Sequence, residues 1–235
     1  MKLVHVVQHT SAEFLGMIED HLEGRGIRFK YYRPFTEGAS LPARDLVQDG
    51  LILLGGGPWG SAGARDLPTL KEEVALAHAC LMRGWPVVGI GLGAQILALA
   101  AGGQSAPAPL TFEVGEALRT SPDGMNGYLP ETFPFAIYMR DWPVPPSYAT
   151  VHAVDRMERP ILWQLGHAAF GFAGHPGLKV AMIEDLIMEF DESPADPGPM
   201  LAELGGKQRA LEDALVPIMT ALVQLSRWMD DGRSG

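Results

Sequence analysis

The residues that bear on chemistry gather around Gly89-Ile90-Gly91-Leu92-Gly93-Ala94-Gln95. The apolar run behind Pro86 reads as a buried strand, and Ala94 to Ala101 is a strong helix-forming run. A strand that passes through a tight glycine turn into a helix has the geometry of a nucleophile elbow. In that motif a reactive side chain sits at a strained apex, and small neighbours let backbone and substrate approach. Here the apex position is Gly91, which has no side chain. Further along, Gly171-Phe172-Ala173-Gly174-His175-Pro176-Gly177 ends a strand in a loop that carries a histidine. The elbow has the frame for covalent catalysis, but not the nucleophile.

Other groups are weaker candidates. Cys80 is the only thiol. It falls late in a helical run among Ala77, Ala79 and Leu81, and a thiol there is expected to be buried filler. His5 and His9 would stand about 13 Å apart along one strand, too far to chelate one ion, and His152, His167 and His175 are scattered. No metal and no cofactor is expected. Gly55-Gly56-Gly57-Pro58-Trp59-Gly60 matches the spacing of a dinucleotide-binding loop, but Pro58 stands where a phosphate-binding N–H is needed.

Strands alternating with helices must position these motifs. Leu3–Val7, Ile27–Tyr32, Leu51–Leu54 and the elbow strand read as strands. Thr10-Ser11-Ala12-Glu13 reads as a capping box that opens a helix ending at Gly24 or Gly26. Residues 34–49 read as loop. Leu67–Arg83 fits a second helix, stopped by Gly84. This alternation predicts an α/β fold: a doubly wound, mostly parallel, flavodoxin-like sheet with right-handed crossovers and ligands beyond the strands' carboxyl ends. His9, the Gly55–Gly57 loop and Gly91 should meet there. Between Phe112 and Trp163 short β-like pieces (135–139, 150–154, 161–165) predict a mixed or antiparallel extension. Residues 179–190 read as helix and 191–199 as an acidic, Pro-rich loop. A C-terminal helical segment is expected over about 199–230, broken near Pro217. The whole of 1–235 reads as one domain.

Composition sets outer bounds. The chain has 235 residues, is 47% hydrophobic and 20% charged, and carries a net charge of −10. A nucleic-acid partner would be repelled, because Arg25, Arg28, Lys30 and Arg33 form only a loose cluster. One cysteine allows no internal disulfide. The N-terminus lacks a signal-peptide pattern, and no run reaches the ~20 apolar residues of a membrane helix. A cytoplasmic protein without membrane association is expected.

With its surroundings, the elbow resembles that of the class I (triad) glutamine amidotransferases. Their elbow reads Gly-Ile-Cys-Leu-Gly-Ala-Gln, where this chain has Gly-Ile-Gly-Leu-Gly-Ala-Gln. The likeness continues in motif order. Leu53-Leu54-Gly55-Gly56-Gly57-Pro58 matches the oxyanion loop, which implies Gly57, or Gly56, as a backbone N–H donor, with Leu92 as the second. Gln95, Gly102-Gly103 and Glu113-Val114-Gly115 match later motifs, and Trp59 flanks the pocket. The family's Gly-x-Gln-Phe-His-Pro-Glu becomes Gly-Phe-Ala-Gly-His-Pro-Gly. His175 is thus a remnant base, and the orienting glutamate is replaced by Gly177. The histidine often found in the strand matching Tyr138-Met139-Arg140-Asp141 is absent.

The resemblance implies an amidotransferase-like protein that has lost Cys-dependent glutaminase activity. In a comparable hydrolase triad, loss of the nucleophile costs on the order of a million-fold in turnover. Such a protein would act as a non-catalytic binding or regulatory subunit, docked on a synthetase or other enzyme. An alternative is altered, non-covalent chemistry in the same pocket, using His175 with Glu113 or Asp141 to orient it. Another is a small-molecule sensor, because Gly91 and Gly177 are expected to leave an enlarged pocket. The sequence leaves the oligomeric state open.

Overall fold

In the computed structural model, which describes residues 2–230, a nine-stranded sheet runs in the order β2-β1-β3-β4-β11-β10-β9-β6-β7. Its first half is parallel: β1 (Leu3–Val7), β2 (Arg28–Tyr32), β3 (Leu51–Leu53), β4 (Val87–Ile90) and β11 (Ala169–Phe172). The second half is antiparallel: β10 (Pro160–Leu165), β9 (Thr150–Val154), β6 (Thr111–Arg119) and β7 (Thr132–Met139). The expected parallel sheet with an antiparallel extension is therefore present. β5 (Gln104–Ala106) pairs with β8 (Trp142–Val144) as a separate ribbon.

The central strands are apolar on both faces because both faces are covered. Val4, Val6, Ile52, Ile90 and Phe172 pack with α1 (Met17–Glu23), α4 (Val180–Glu189) and α5 (Gly198–Leu225). Val7, Leu51, Leu53, Val87 and Ala169 alternate to the other face, against α2 (Leu70–Arg83) and α3 (Leu92–Ala100). α2 stops where Gly84 takes a left-handed conformation (φ 63°).

Three expectations need correction. The first helix begins at Met17 with Gly16 as its cap, not at Thr10. The Glu13 N–H does donate to Thr10 Oγ1 (3.1 Å), but that bond closes a turn in a non-helical strap, residues 8–16. Close backbone approach explains the delay: Met17 N–H donates to Gly177 O (2.9 Å), and a Cβ at Gly16 would overlap that oxygen. Second, α5 runs through Pro217 without interruption. Its buried stripe, Leu211, Leu215, Ile218, Met219 and Leu222, outweighs the one hydrogen bond a proline cannot make. Third, β5, β6 and β8 lie where no strand was expected. β6 alternates buried and open positions imperfectly, with Glu113 and Glu116 interleaved, so its period is weak.

Candidate functional site

The elbow is built as its sequence implies. β4 turns at Gly91, whose φ of 56° is left-handed, and α3 starts at Leu92. Gly89 and Gly93 are needed because a Cβ at either would overlap backbone of the turn or of β3. A Cβ at Gly91 would meet only Gly55 Cα, at 3.4 Å, an ordinary contact. Leu92 N–H, the first of the helix, has no acceptor among the described residues.

Gly57 N–H does have one. It donates to Glu13 Oε2 at 3.1 Å. Glu13 comes from the strap after β1 and is 4% exposed. Its carboxyl lies so close over Gly55 that a Cβ there would overlap it. Burial lifts the Glu13 pKa to about 7, against the opposing pull of the Gly57 N–H and of His9. The neighbouring Leu186 and Phe190 stand 3.1 and 3.2 Å from where a Cβ on Gly57 would be, and so roof the loop. Phe190 is held over the site because Glu189 accepts from the Ser11 and Ala12 N–H groups (3.1 and 3.0 Å), and Glu192 is paired with both Arg65 and Arg140.

His9 lies beneath this carboxyl, at the carboxyl edge of β1. Its Nδ1–H donates to Gly55 O (3.0 Å) and its Nε2–H to Glu73 Oε2 (2.8 Å). With Glu73 ionised both partners are acceptors, which favours the doubly protonated ring. Burial opposes that charge, but the Glu73 carboxylate and the two hydrogen bonds outweigh it, and the pKa is raised. Thr69 Oγ1–H completes the set by donating to Glu73 Oε1 (2.6 Å). The expected meeting of His9, Gly55–Gly57 and Gly91 at one edge is present.

His175 is placed differently from the base expected. Its Nε2 lies 2.7 Å from Phe14 O, and its Nδ1 accepts from Gly177 N–H (3.1 Å). A carbonyl oxygen only accepts and a peptide N–H only donates, so the neutral Nε2–H tautomer is fixed and no ring lone pair is free. Burial pushes the pKa down to about 4. The enlarged hollow expected at Gly177 is also not there. A Cβ on Gly177 would come within 2.8 Å of Ile18 Cγ1 and 2.9 Å of Leu15 O. The segment entering α1 fills the place an orienting glutamate would need.

The remaining candidates have structural partners. Gln95 ties α3 to two loops, accepting from Ser61 Oγ (2.6 Å) and donating to Arg140 O (2.7 Å). Gly56 lets Leu92 pack closely. Trp59 is half-buried, with the Arg65 guanidinium 4.9 Å from its ring centroid. Glu113 pairs with Arg159 (2.8 Å), and Asp141 accepts from Ser61, Ala62 and Ala108 N–H groups (2.9, 3.0 and 3.1 Å). Cys80 is buried, which pushes its thiol up to about 12. Among the described residues no group of three or more His, Cys, Asp or Glu is arranged to hold a metal ion. Nor is any helix there long and apolar enough to cross a membrane.

Sequence reasoning missed Glu13, Glu73 and Tyr138. The Tyr138 hydroxyl is buried without a hydrogen-bond partner among the described residues, and it lies within electrostatic reach of Glu13. The one signal for Glu13 was a carboxylate three residues after Thr10, which has a simpler reading as a helix cap.

Comparison with known proteins agrees with this architecture. A crystal structure of a glutamine amidotransferase from Thermotoga maritima superposes with a TM-score of 0.76 at 22% identity, covering 96% of this chain and 98% of that one. A glutamine amidotransferase from Methylobacillus flagellatus gives 0.70 at 22% identity, covering 97% and 91%. A protein described as belonging to a GMP synthase, from Thermoplasma acidophilum, gives 0.54 at 17% identity, covering 89% and 98%. At these identities the likeness is one of fold. The comparison with curated protein sequences gave no match. The family model for glutamine amidotransferase class-I matches residues 7–140, more than half the chain and inclusive of the strap, the Gly55–Gly57 loop and the elbow. The chain belongs to the glutamine amidotransferase class-I family.

Proposed function

We propose that this chain is an amidotransferase-fold protein without Cys-dependent glutaminase chemistry, acting as one domain that binds and regulates a partner enzyme. The observation that carries the reading is the buried Glu13 carboxyl already held by the Gly57 N–H, in a chain whose elbow apex has no side chain. An oxyanion donor works by being aimed and vacant when negative charge develops. A donor already holding a carboxyl oxygen is neither. Gly91 removes the thiol, and the two hydrogen bonds of His175 remove the base.

The likeness in fold to a protein described as belonging to a GMP synthase supports a synthetase as the kind of partner. A cytoplasmic setting fits that role. The test is affinity capture of the full chain from its native source. Stoichiometric recovery of a synthetase, with no glutamine hydrolysis by the lone chain, is the expected result. Glutamine turnover by the lone chain would overturn the reading.

One observation favours a second reading. A buried carboxyl with a pKa near 7, beside a His9 ring whose pKa is raised, suits general acid–base chemistry near neutral pH. In that reading Glu13 replaces His175 as the proton-transfer group, and no covalent intermediate forms.

A further inference from the structure

At the amino ends of β4 and β11, the edge of the sheet opposite the elbow, lies a cavity of about 570 Å3. That volume falls within the range of about 300–1,000 Å3 typical of small-molecule sites. Leu81, Leu165 and Ala169 give it apolar surface, and the rings of Trp85 and Tyr148 form part of its wall. The polar groups around it have spent donors on the protein itself. His78 Nδ1–H donates to Ala100 O (2.9 Å) and the Tyr148 hydroxyl to Ala101 O (2.7 Å). The turn N–H groups of Gly84, Trp85 and Gly102 donate to Leu81 O, Cys80 O and Leu99 O (3.1, 3.0 and 3.1 Å). What His78 and Tyr148 keep is lone pairs, at Nε2 of the neutral ring and on Oη. Their partners are successive carbonyls at the end of α3, so these two acceptors stand at the same end of the cavity. α2 and α3 both finish there, and each brings the negative pole of its dipole. No Lys, Arg, Asp or Glu lines the cavity among the described residues.

We propose that this cavity is a binding site for a small arylalkyl amine in its protonated form. The ammonium group is held by the lone pairs of His78 and Tyr148, and the aromatic body packs against Trp85 and the apolar floor. An ammonium brings donors and positive charge, which match spent donors and two helix ends. A carboxylate or phosphate brings acceptors and negative charge, which match neither. With no carboxylate in the wall, a bare cation would have little to replace its hydration, so the aromatic body supplies the rest of the affinity by leaving water. The chain's net charge of −10 favours the approach of a cation. α3 begins at the elbow and ends at this cavity, but the proposal does not depend on what the elbow does.

The experiment titrates the full chain with phenethylamine at pH 8, where the amine is protonated, and follows heat of binding by calorimetry. Phenethyl alcohol and hydrocinnamate serve as neutral and anionic counterparts with the same ring. Phenethylamine should bind saturably, the alcohol severalfold more weakly, and the anion at least tenfold more weakly. Tyr148→Phe keeps the ring and removes the hydroxyl, and His78→Leu removes the ring nitrogens. Each should weaken phenethylamine binding severalfold. Tyr148 is 67% exposed, so its variant should fold, and an unchanged melting temperature checks this. If His78→Leu is recovered only as aggregate, Tyr148→Phe decides by itself. Absence of saturable phenethylamine binding at millimolar concentration would overturn the proposal. So would equal affinity for hydrocinnamate, or wild-type affinity in Tyr148→Phe. Such a failure would leave the non-catalytic elbow standing, since glutamine hydrolysis tests that separately.

Discussion

His175 Nε2 donates to the Phe14 carbonyl oxygen at 2.7 Å, joining the loop after β11 to the strap that precedes the first helix. A residue type that serves as a proton acceptor in the family is thereby a clamp between two loops. His175→Ala should leave both Phe14 O and the Gly177 N–H without their partners. An unsatisfied buried group costs about 1–3 kcal/mol, so a loss of stability of that order or somewhat more is expected in denaturant unfolding. Retention of wild-type stability would mean that the ring is not bonded as found.

Placing a thiol at the elbow should not by itself produce a glutaminase. Gly91→Cys has room for its side chain, whose Cβ would meet only Gly55 Cα at 3.4 Å, at the cost of backbone strain from the φ of 56°. Glu13 would still hold the Gly57 donor, and His175 would still offer no lone pair. Gly91→Cys is expected to show no glutaminase activity above wild type in an ammonia-release assay.

Gly177 cannot be given a glutamate side chain without strain. Gly177→Glu would force its Cβ within 2.9 Å of Ile18 N and Leu15 O, which are backbone atoms and cannot swing away. Overpacking of this kind costs about 1–3 kcal/mol. A lower melting temperature for Gly177→Glu is the expected outcome, with Gly177→Ala intermediate.

Two buried groups give opposing pH dependences. Glu13 has its folded pKa raised to about 7. Between its ordinary carboxylate value and pH 7 the folded state keeps a proton that the unfolded state has lost, so stability falls as pH rises. His175 is lowered to about 4. Between its ordinary value near 6.5 and pH 4 the unfolded state takes up a proton that the folded state refuses, so stability falls as pH drops. Each displacement from the ordinary value amounts to about 3 kcal/mol at most. Over pH 4.5–6.5 the two largely cancel in wild type. The raised pKa of His9 adds a contribution present below pH 6.5 and lost as pH rises through its folded value. Glu13→Gln should therefore unmask acid destabilisation between pH 6.5 and 4.5, and His175→Asn should unmask destabilisation as pH rises from 4.5 to 7. Denaturant midpoints at four pH values would measure both slopes.

Asp141 is a test of the surrounding scaffold. It is buried, sits at a left-handed φ of 59°, and its carboxylate accepts three backbone N–H bonds from two loops. Asp141→Ala should cost about 3 kcal/mol or more, from the donors it strands, while Asp141→Asn should recover part of that through its carbonyl oxygen.

The parallel half of the fold was legible because its strands are short apolar runs bounded by glycine or proline, as at Leu51–Leu53 and Val87–Ile90. Helix α2 was legible through its 3.6-residue period and Gly84. The elbow was legible because Gly89, Gly91 and Gly93 each meet a backbone constraint. What escaped was long-range. Glu13 lies 44 positions from the Gly57 N–H it accepts from, and no local pattern reports that pairing. Gly177 read as lost volume, but its space is taken by Leu15 and Ile18 from the other end of the chain. Pro217 read as a break because propensity is local, whereas the stripe that holds α5 straight through it is tertiary.

The central claim is that this elbow does not hydrolyse glutamine. The direct measurement is ammonia release from glutamine by the purified chain, alongside trapping with a glutamine-site electrophile and mass spectrometry of the intact protein. The account predicts no release above the uncatalysed rate and no adduct at any residue. Turnover abolished by substituting His175 would contradict it, and would show that His175 leaves Phe14 to act as a base.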